Sequence, residues 1–167
     1  MKKTDGNLKE AFAGESQANR RYLAFAKKAE EEGLKHVAKL FRAAADAETV
    51  HAMNHLRVMK GVGSTKDNLQ EAIIGETHEF TEMYPGMIKN AEGEGNEAAK
   101  TSFRQANQVE KIHAELYKKA LEIVEAGKDL EGNEIHVCQV CGNTFVGEVP
   151  EECPICGVKK DMFKKIE

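Results

Sequence analysis

Two Glu-x-x-His pairs are the residues of this sequence best suited to chemistry. Glu48 pairs with His51, and Glu110 pairs with His113. Residues three apart share one face of a helix, so each pair presents a carboxylate oxygen and an imidazole nitrogen to the same point. Carboxylates combined with one imidazole per metal are typical of iron or manganese sites rather than zinc sites. The two pairs therefore predict metal ligands.

Three further glutamates interrupt the apolar stripes of the chain: Glu15, Glu76 and Glu79. Ionised carboxylates buried without partners destabilise a domain by several kcal/mol each, and a pair of bound cations would compensate them. Ferritin-like di-metal sites take a glutamate from each of two helices and Glu-x-x-His from each of the other two. Glu79 is one carboxylate more than this six-residue pattern requires, and we expect it to offer a seventh ligand. Two alternatives to metal binding remain. The whole set could be polar core residues that hydrogen-bond one another, or Glu79 could be an ordinary solvent-exposed helix residue.

The four cysteines form a second constellation near the end of the sequence. They lie in two matching Cys-x-x-Cys-Gly knuckles, Cys138 with Cys141 and Cys153 with Cys156. Four thiolates at this spacing predict a tetrahedral four-sulfur metal site. Such a site accepts zinc, as a structural clip, or iron, as a one-electron carrier. The predicted di-metal site in the same chain favours iron.

Tyr22 and Tyr84 face the predicted di-metal site by their helical spacing. Their hydroxyls could hydrogen-bond the ligand carboxylates and so orient them. Ordinary core packing is the alternative for both side chains.

Amphipathic helices must position the carboxylates and histidines. Between residue 7 and residue 127, apolar side chains recur at spacings of three and four in four long stretches, which predicts a four-helix bundle. Pro85 falls inside the third stretch and is expected to bend it. We predict a bundle over residues 1–127, a polar linker over 128–135 and a β-containing cysteine module over 136–167.

An internal repeat relates the two halves of the bundle. The segment Glu10–Ser16 returns 61 positions later, whereas Phe41-Arg42, Glu48 and His51 return 62 positions later. The change of offset places a one-residue insertion between Thr77 and Ala91. The sequence therefore predicts two related helical hairpins.

Composition narrows the possible partners and location. The chain has 167 residues, a net charge of −4 and four clustered cysteines. We expect neither nucleic-acid nor membrane binding, because no basic patch and no long apolar run occurs. The first residues lack the apolar core of a secretory signal, which predicts a cytoplasmic protein.

The chain resembles the rubrerythrin family over nearly its whole length. The resemblance is carried by Gly14-Glu15-Ser16-Gln17-Ala18, both Glu-x-x-His pairs, Glu76-x-x-Glu79 followed by Met83-Tyr84-Pro85, and the two cysteine knuckles. It implies a mainly α fold, with a ferritin-like four-helix bundle and a small C-terminal rubredoxin-like β/knuckle domain. It also implies two non-haem irons bound by the seven carboxylate and histidine ligands, and one iron bound by the four cysteines. In that family, the counterparts of Glu79 and His51 alternate as ligands to one iron with its redox state.

The resemblance implies a peroxidase that protects against oxidative stress. Reducing hydrogen peroxide to water takes two electrons, which two ferrous ions supply together, and Glu48 and Glu110 would bridge those ions. The four-cysteine iron would return electrons one at a time from an external donor, such as rubredoxin or an NAD(P)H-dependent reductase. Two alternatives are a ferritin-like ferroxidase or iron-storage protein, which needs no four-sulfur module, and a structural zinc-ribbon bundle without redox activity.

The connector between the second and third helices predicts an oligomer. In the ferritin-like arrangement these two helices run parallel, so the chain must return along the bundle between them. The connector from Gly61 to about Lys66 has some six residues, which are too few for that return. We expect a homodimer or larger assembly in which chains exchange hairpins, or else a plain up-down-up-down bundle.

Overall fold

The computed structural model describes residues 3–132 and 134–167. Its helices are α1 Lys3–Glu31, α2 Lys35–Val58, α3 Thr65–His78, α4 Tyr84–Gly93 and α5 Glu97–Glu125. A π-helical turn, Glu79–Met83, joins α3 to α4 without a break, so the described residues contain four long helical segments. The strands are β1 Ile135–Cys138, β2 Thr144–Val146 and β3 Phe163–Ile166. The predicted secondary structure, mainly α with a small C-terminal β module, is confirmed.

The first compact unit, Met1–Gly63, is a hairpin of α1 and α2. Its buried side chains are small, and they allow the two helices to approach closely: Ala26, Ala29, Ala38, Ala45 and Ala52. Asn19 adds a polar connection, because its Nδ2 atom donates to the Ala45 carbonyl at 2.7 Å and to Thr49 Oγ1 at 2.9 Å. The hairpin is therefore fixed in register by an amide side chain as well as by alanine packing.

The second compact unit, Ser64–Glu167, contains α3, α4 and α5 and the β module. Ser64 caps α3 through a capping box, in which its hydroxyl accepts from the Asp67 N–H and the Asp67 carboxylate accepts from the Ser64 N–H. α5 packs along both α3 and α4 and buries Val109, Ala114 and Ala120. This unit thus builds its helical layer on one long helix.

Equivalent contacts in the two units reproduce the internal repeat. Arg42 donates to Glu30 at 2.8 Å, and Arg104 donates to Glu92 at 2.6 Å, 62 positions later. The Tyr22–Phe41 and Tyr84–Phe103 ring pairs both have centroids 6.3 Å apart. The repeat found in the sequence is therefore present as matched side-chain geometry.

Pro85, where the sequence predicts a bend, lies next to a π-helical turn. Pro85 lies in the first turn of α4, directly after the π-helical turn. A π turn accommodates one residue more than the same stretch of α-helix, and the insertion predicted between Thr77 and Ala91 contains this turn. The one-residue insertion therefore explains the π turn, and Pro85 directly follows this turn within the continuous helical segment.

The cysteine module is a three-stranded antiparallel sheet in the order β2-β1-β3. Phe145 and Phe163 pack across it with ring centroids 4.9 Å apart. β1 begins at Ile135, the last residue of the predicted linker. Among the described residues, no helix has both the length and the apolar character needed to cross a bilayer.

Candidate metal centres

Glu15, Glu48 and His51 form one metal-binding group in the first unit. α1 supplies Glu15, and α2 supplies Glu48 and His51. The ligand atoms of all three residues lie within 4.8 Å of one another. His51 Nδ1 is 2.9 Å from Glu48 Oε2 and 4.0 Å from Glu15 Oε1. The i,i+3 spacing on α2 sets the first distance, and packing of α1 on α2 sets the second. One imidazole and two carboxylates therefore converge as the sequence predicts.

Glu76, Glu110 and His113 form the equivalent group in the second unit. α3 supplies Glu76 and α5 supplies the pair, again with ligand atoms within 4.8 Å of one another. His113 Nδ1 is 2.8 Å from Glu110 Oε2 and 3.8 Å from Glu76 Oε1. These distances match those of the first group closely, so each hairpin carries a set of ligands suited to one metal ion.

Electrostatics in the second group favours a cation. Burial, with the Glu110 carboxylate close by, raises the pKa of Glu76 from its usual 4.5 to about 7. Burial and Glu110 also raise the pKa of Glu79. Carboxylates that resist ionisation together are stabilised by a nearby positive charge. The donor set and its charge therefore fit a divalent or trivalent ion.

Glu79 opens the π-helical turn, half-buried, one turn beyond Glu76. Its pKa responds to Glu110 and His113, so its carboxylate lies within electrostatic reach of the second group. It is not one of the three residues whose ligand atoms converge there. The π turn therefore brings an additional carboxylate to the edge of the group.

The two tyrosines lie in matched aromatic contacts. Tyr84 packs against Phe103, and its pKa is raised by burial and by the carboxylates of Glu110, Glu79 and Glu76. Its phenol therefore stays protonated beside these acids. Tyr22 packs against Phe41 and Phe25. Both rings therefore make aromatic packing contacts. Tyr84 in addition lies close enough to the three carboxylates for their negative charge to raise its pKa.

The four cysteines converge into one cluster. Cys138 Sγ lies 3.6 Å from Cys156 Sγ, and Cys141 Sγ lies 3.6 Å from Cys153 Sγ. Thiolates bound tetrahedrally at metal–sulfur distances of about 2.3 Å would be about 3.8 Å apart, so the cluster fits a four-sulfur site. Burial alone would raise the pKa of Cys153, but the backbone N–H groups of Cys156 and Ile155 lower it to about 7. The backbone thus lowers the pKa of this thiol, whereas burial raises the pKa of Cys141 and of Cys156.

The second unit also joins its two candidate centres by a contact that the sequence did not predict. His113 Nε2 lies 3.0 Å from the hydroxyl oxygen of Thr144 on β2. Gly142, in the first cysteine knuckle, lies over the buried Val109 one turn before His113 on α5. No motif marks Thr144, because the two partners are 31 residues apart and meet only when the module folds onto α5.

Together, two glutamate–glutamate–histidine groups on long helices and a four-cysteine module define the class. These features are those of a ferritin-like non-haem di-iron protein that carries a rubredoxin-like domain. A family model described as Rubrerythrin matches residues 6–121. A second model, described as Rubrerythrin, rubredoxin-like domain, matches residues 136–164.

The chain belongs to the rubrerythrin family. It is 40% identical to Rubrerythrin-2 of Clostridium acetobutylicum, in an alignment that covers 94% of this chain and 93% of that protein. It is 37% identical to Nigerythrin of Nitratidesulfovibrio vulgaris, over 94% of this chain and 83% of that protein. The solved structure titled "Fully reduced state of nigerythrin (all ferrous)" matches with a TM-score of 0.59 at 36% identity, covering 98% of this chain and 86% of that chain.

Family and donor chemistry together confirm the predicted fold class and cofactors. The fold is mainly α and ferritin-like, with a small rubredoxin-like domain at the C-terminal end. Two non-haem irons belong to the carboxylate–histidine groups, and one iron belongs to the four cysteines. The protein is thus a member of a family of iron-dependent oxidoreductases associated with oxidative stress.

Proposed function

We propose that this protein is a di-iron peroxidase that reduces hydrogen peroxide to water, with electrons supplied through the four-cysteine iron. The observation that carries the proposal is the pairing of two matched ligand groups with a one-electron module in one chain. Two ferrous ions give two electrons together, so the O–O bond can be cleaved without releasing a hydroxyl radical. The products are two water molecules, formed with two protons from solution.

The residues of the chain have separate roles in this proposal. Glu48 and Glu110 would bridge the two ions, while Glu15, Glu76, Glu79, His51 and His113 would complete their coordination. Tyr84 holds a phenolic proton beside Glu110 and Glu79 and so offers a hydrogen-bond donor at this edge. Cys138, Cys141, Cys153 and Cys156 would hold the iron that accepts electrons from outside.

The test is a metal analysis combined with a peroxide reaction. Purified protein should contain about three irons per chain, as the two ligand groups and the four-sulfur site require. Stopped-flow mixing of the reduced protein with hydrogen peroxide should consume one peroxide per pair of irons. Oxidation no faster than that of free ferrous ion would reject the peroxidase. Iron accumulation far above the site count would favour storage, and zinc in the cysteine site would favour a structural role.

We also propose the class of the physiological electron donor, because the number of electrons that the four-cysteine site passes at a time limits the choice. The four-cysteine site passes one electron at a time, so rubredoxin or an NAD(P)H-dependent reductase suits it. We place the protein in the cytoplasm, since reducing compartments keep clustered cysteines available for metal. Reduction of the four-cysteine absorption by candidate donors, followed under anaerobic conditions, distinguishes these sources.

We further propose that two chains complete each other's di-iron sites by exchanging hairpins. From His51 to the end of α2 at Val58, and from Thr65 to Glu76 on α3, the helices extend 18 residues, or about 27 Å. An intrachain parallel crossover would have to cover that length with residues 59–64, which reach only about 20 Å when fully extended.

The conformation of this connector shortens its reach further. The N–H groups of Met59, Lys60 and Gly61 all donate back to carbonyls of α2, and Ser64 is held in the capping box of α3. Lys60 has a left-handed φ of 56°, and a Cβ at Gly61 would collide with the Leu56 side chain. Because the end of α2 and the start of α3 hold these connector residues in hydrogen bonds, few of them are free to extend. This supports a connector that passes between two bundles.

The first unit also presents apolar side chains that a second copy would cover. Val50, Met53 and Leu40 on α2 are each more than half exposed. The two hairpins carry complementary ligand sets, with one glutamate–glutamate–histidine group each. We therefore propose a homodimer, or a larger assembly built from it, in which residues 1–63 of one chain pack on residues 64–127 of another.

A further inference from the structure

The hydroxyl of Thr144 lies between the two candidate metal centres of the second unit. On one side, Thr144 Oγ1 is 3.0 Å from His113 Nε2. On the other side, it is 3.4 Å from the carbonyl oxygen of Gly142, which follows Cys141 directly. No other described side chain contacts both the histidine and the cysteine knuckle through hydrogen bonds.

His113 is oriented by its two ring nitrogens. Nδ1 faces Glu110 at 2.8 Å and Glu76 at 3.8 Å, and Nε2 faces Thr144. Nδ1 lies within hydrogen-bond distance of the Glu110 carboxylate, and Nε2 lies within hydrogen-bond distance of the Thr144 hydroxyl, which can donate to Nε2 or accept from Nε2–H. With a metal at Nδ1, Nε2 would carry the proton and would donate it to Thr144, whose hydroxyl would donate to the Gly142 carbonyl. A hydroxyl can serve both tautomers because it donates and accepts.

We propose that Thr144 is a positioning residue, which docks the four-cysteine module on α5 and holds the His113 ring with Nδ1 towards Glu110 and Glu76. Partners of this kind fix the tautomer and orientation of ligating histidines. The repeat supplies an internal comparison, since His51 has no equivalent contact among the residues that the structure describes. The module therefore supports one of the two ligand groups selectively.

The same contact gives a short route between the two centres. Gly142 is bonded directly to Cys141, and its carbonyl oxygen lies 3.4 Å from Thr144 Oγ1. The Cys141–Gly142 backbone and two hydrogen bonds of the Thr144 hydroxyl, to the Gly142 carbonyl and to His113 Nε2, thus connect a cysteine ligand to a histidine ligand. An electron crossing this route leaves a ferrous four-cysteine iron, which becomes ferric, and reduces one ferric ion of the carboxylate–histidine site to ferrous. This part of the inference rests on the proposed function, because it assumes iron in both sites.

The test uses full-length Thr144→Val, which keeps the β-branched shape and removes the hydroxyl, and Thr144→Ser, which restores it. Thr101→Val, at an exposed position on α5, is the matched control. In the metal-free protein, imidazole nitrogen NMR should show a changed His113 tautomer balance in Thr144→Val and unchanged His51 signals. Thr144→Ala provides the same comparison if the valine variant does not fold.

The second readout is electron transfer in the iron-loaded protein without peroxide. The four-cysteine iron is reduced by a flash, and the return of its thiolate absorption is followed. Thr144→Val should slow that return about tenfold or more, while Thr144→Ser stays within about twofold of the wild type. Unchanged rates with unchanged His113 signals in Thr144→Val would overturn the inference, as would a serine variant as slow as the valine variant. Fast transfer in a wild-type protein inert to peroxide would reject only the proposed peroxidase.

Discussion

His51 and His113 are equivalent residues of the internal repeat, yet their surroundings differ. Each Nδ1 atom lies within 3 Å of the glutamate three residues earlier, but the His51 side chain is 54% exposed and the His113 side chain 25%. The Thr144 hydroxyl lies against the outer nitrogen of His113, and His51 has no such contact among the described residues. A histidine with a free outer edge can turn away from a ligand group more easily than one that is hydrogen-bonded on both sides.

Replacing either proposed bridging residue should remove activity and leave the cysteine site intact. Glu48→Gln or Glu110→Gln takes a charged ligand from its group, and we expect peroxide reduction to fall about 100-fold or more, as for loss of a strongly bound metal. Iron analysis should show loss from the di-iron site, with the thiolate absorption unchanged. Glu30→Gln is the control, since Glu30 only pairs with Arg42 on the surface. Full activity in both bridge variants would contradict their assigned role.

Glu79 should support turnover more than assembly. Because Glu79 lies beside a complete glutamate–glutamate–histidine group, Glu79→Ala should still bind two irons in the di-iron site but turn over about tenfold more slowly. Iron content and single-turnover oxidation separate these effects. Glu82→Ala, in the same π-helical turn but exposed, is the matched control. If Glu79→Ala binds no iron in the di-iron site, the residue is an obligatory ligand instead.

The metal-free protein should lose stability as the pH rises from about 4.5 to about 7. The pKa of Glu76 is raised from 4.5 to about 7 in the folded chain, so the folded state binds the extra proton across this range. Its contribution is fully present below 4.5 and is lost as the pH passes through 7. Urea unfolding at a series of pH values measures this slope. Glu76→Gln should flatten it and exposed Glu71→Gln should not, whereas stability that rises over this range in the wild type would contradict the assignment.

Exchange of hairpins predicts recovery of activity in mixed dimers. Co-refolding Glu48→Gln chains with Glu110→Gln chains gives, in a swapped heterodimer, one intact site and one doubly damaged site. Activity should then return to about half the wild-type value per heterodimer, because only one of its two sites is whole. Mixing Glu48→Gln with Glu15→Gln is the control, since both changes lie in the same hairpin and no intact site can form. Proven heterodimers of the first pair without recovery would exclude the swap.

Removing the α3 cap should destabilise the fold without affecting the metal sites directly. Ser64→Ala loses the hydroxyl that accepts from Asp67 N–H, which costs about 1 kcal/mol at a helix N-terminus. Chemical denaturation of the iron-loaded protein measures this loss. Thr65→Ala, at the next position, should change stability by less. An equal loss in both variants would show that the capping box does not account for the effect.

Much of the candidate site was predictable because its geometry is local. Helix pitch places Glu48 beside His51 and Glu110 beside His113, whatever the rest of the chain does. Two cysteines on one tight turn are similarly close before any tertiary contact forms. These local relationships predicted the candidate ligands, the metal class and the internal repeat from residue types and spacing, and the structure brings the candidate ligands together in three groups. The same spacing located the extra residue between Thr77 and Ala91, although not the form it takes.

Tertiary structure decided the relationships that join distant residues. The approach of Glu15 to His51 depends on how closely two alanine-lined helices pack, which no single helix specifies. The π turn at Glu79 is one of several ways to accommodate an inserted residue, and in the folded chain this turn packs against α5. Thr144 meets His113 across 31 residues because the folded module rests on α5, and its hydroxyl carries no sequence pattern of its own. Local spacing thus predicts the candidate ligands. Long-range packing determines which of these side chains come together and which of them is hydrogen-bonded by the cysteine module.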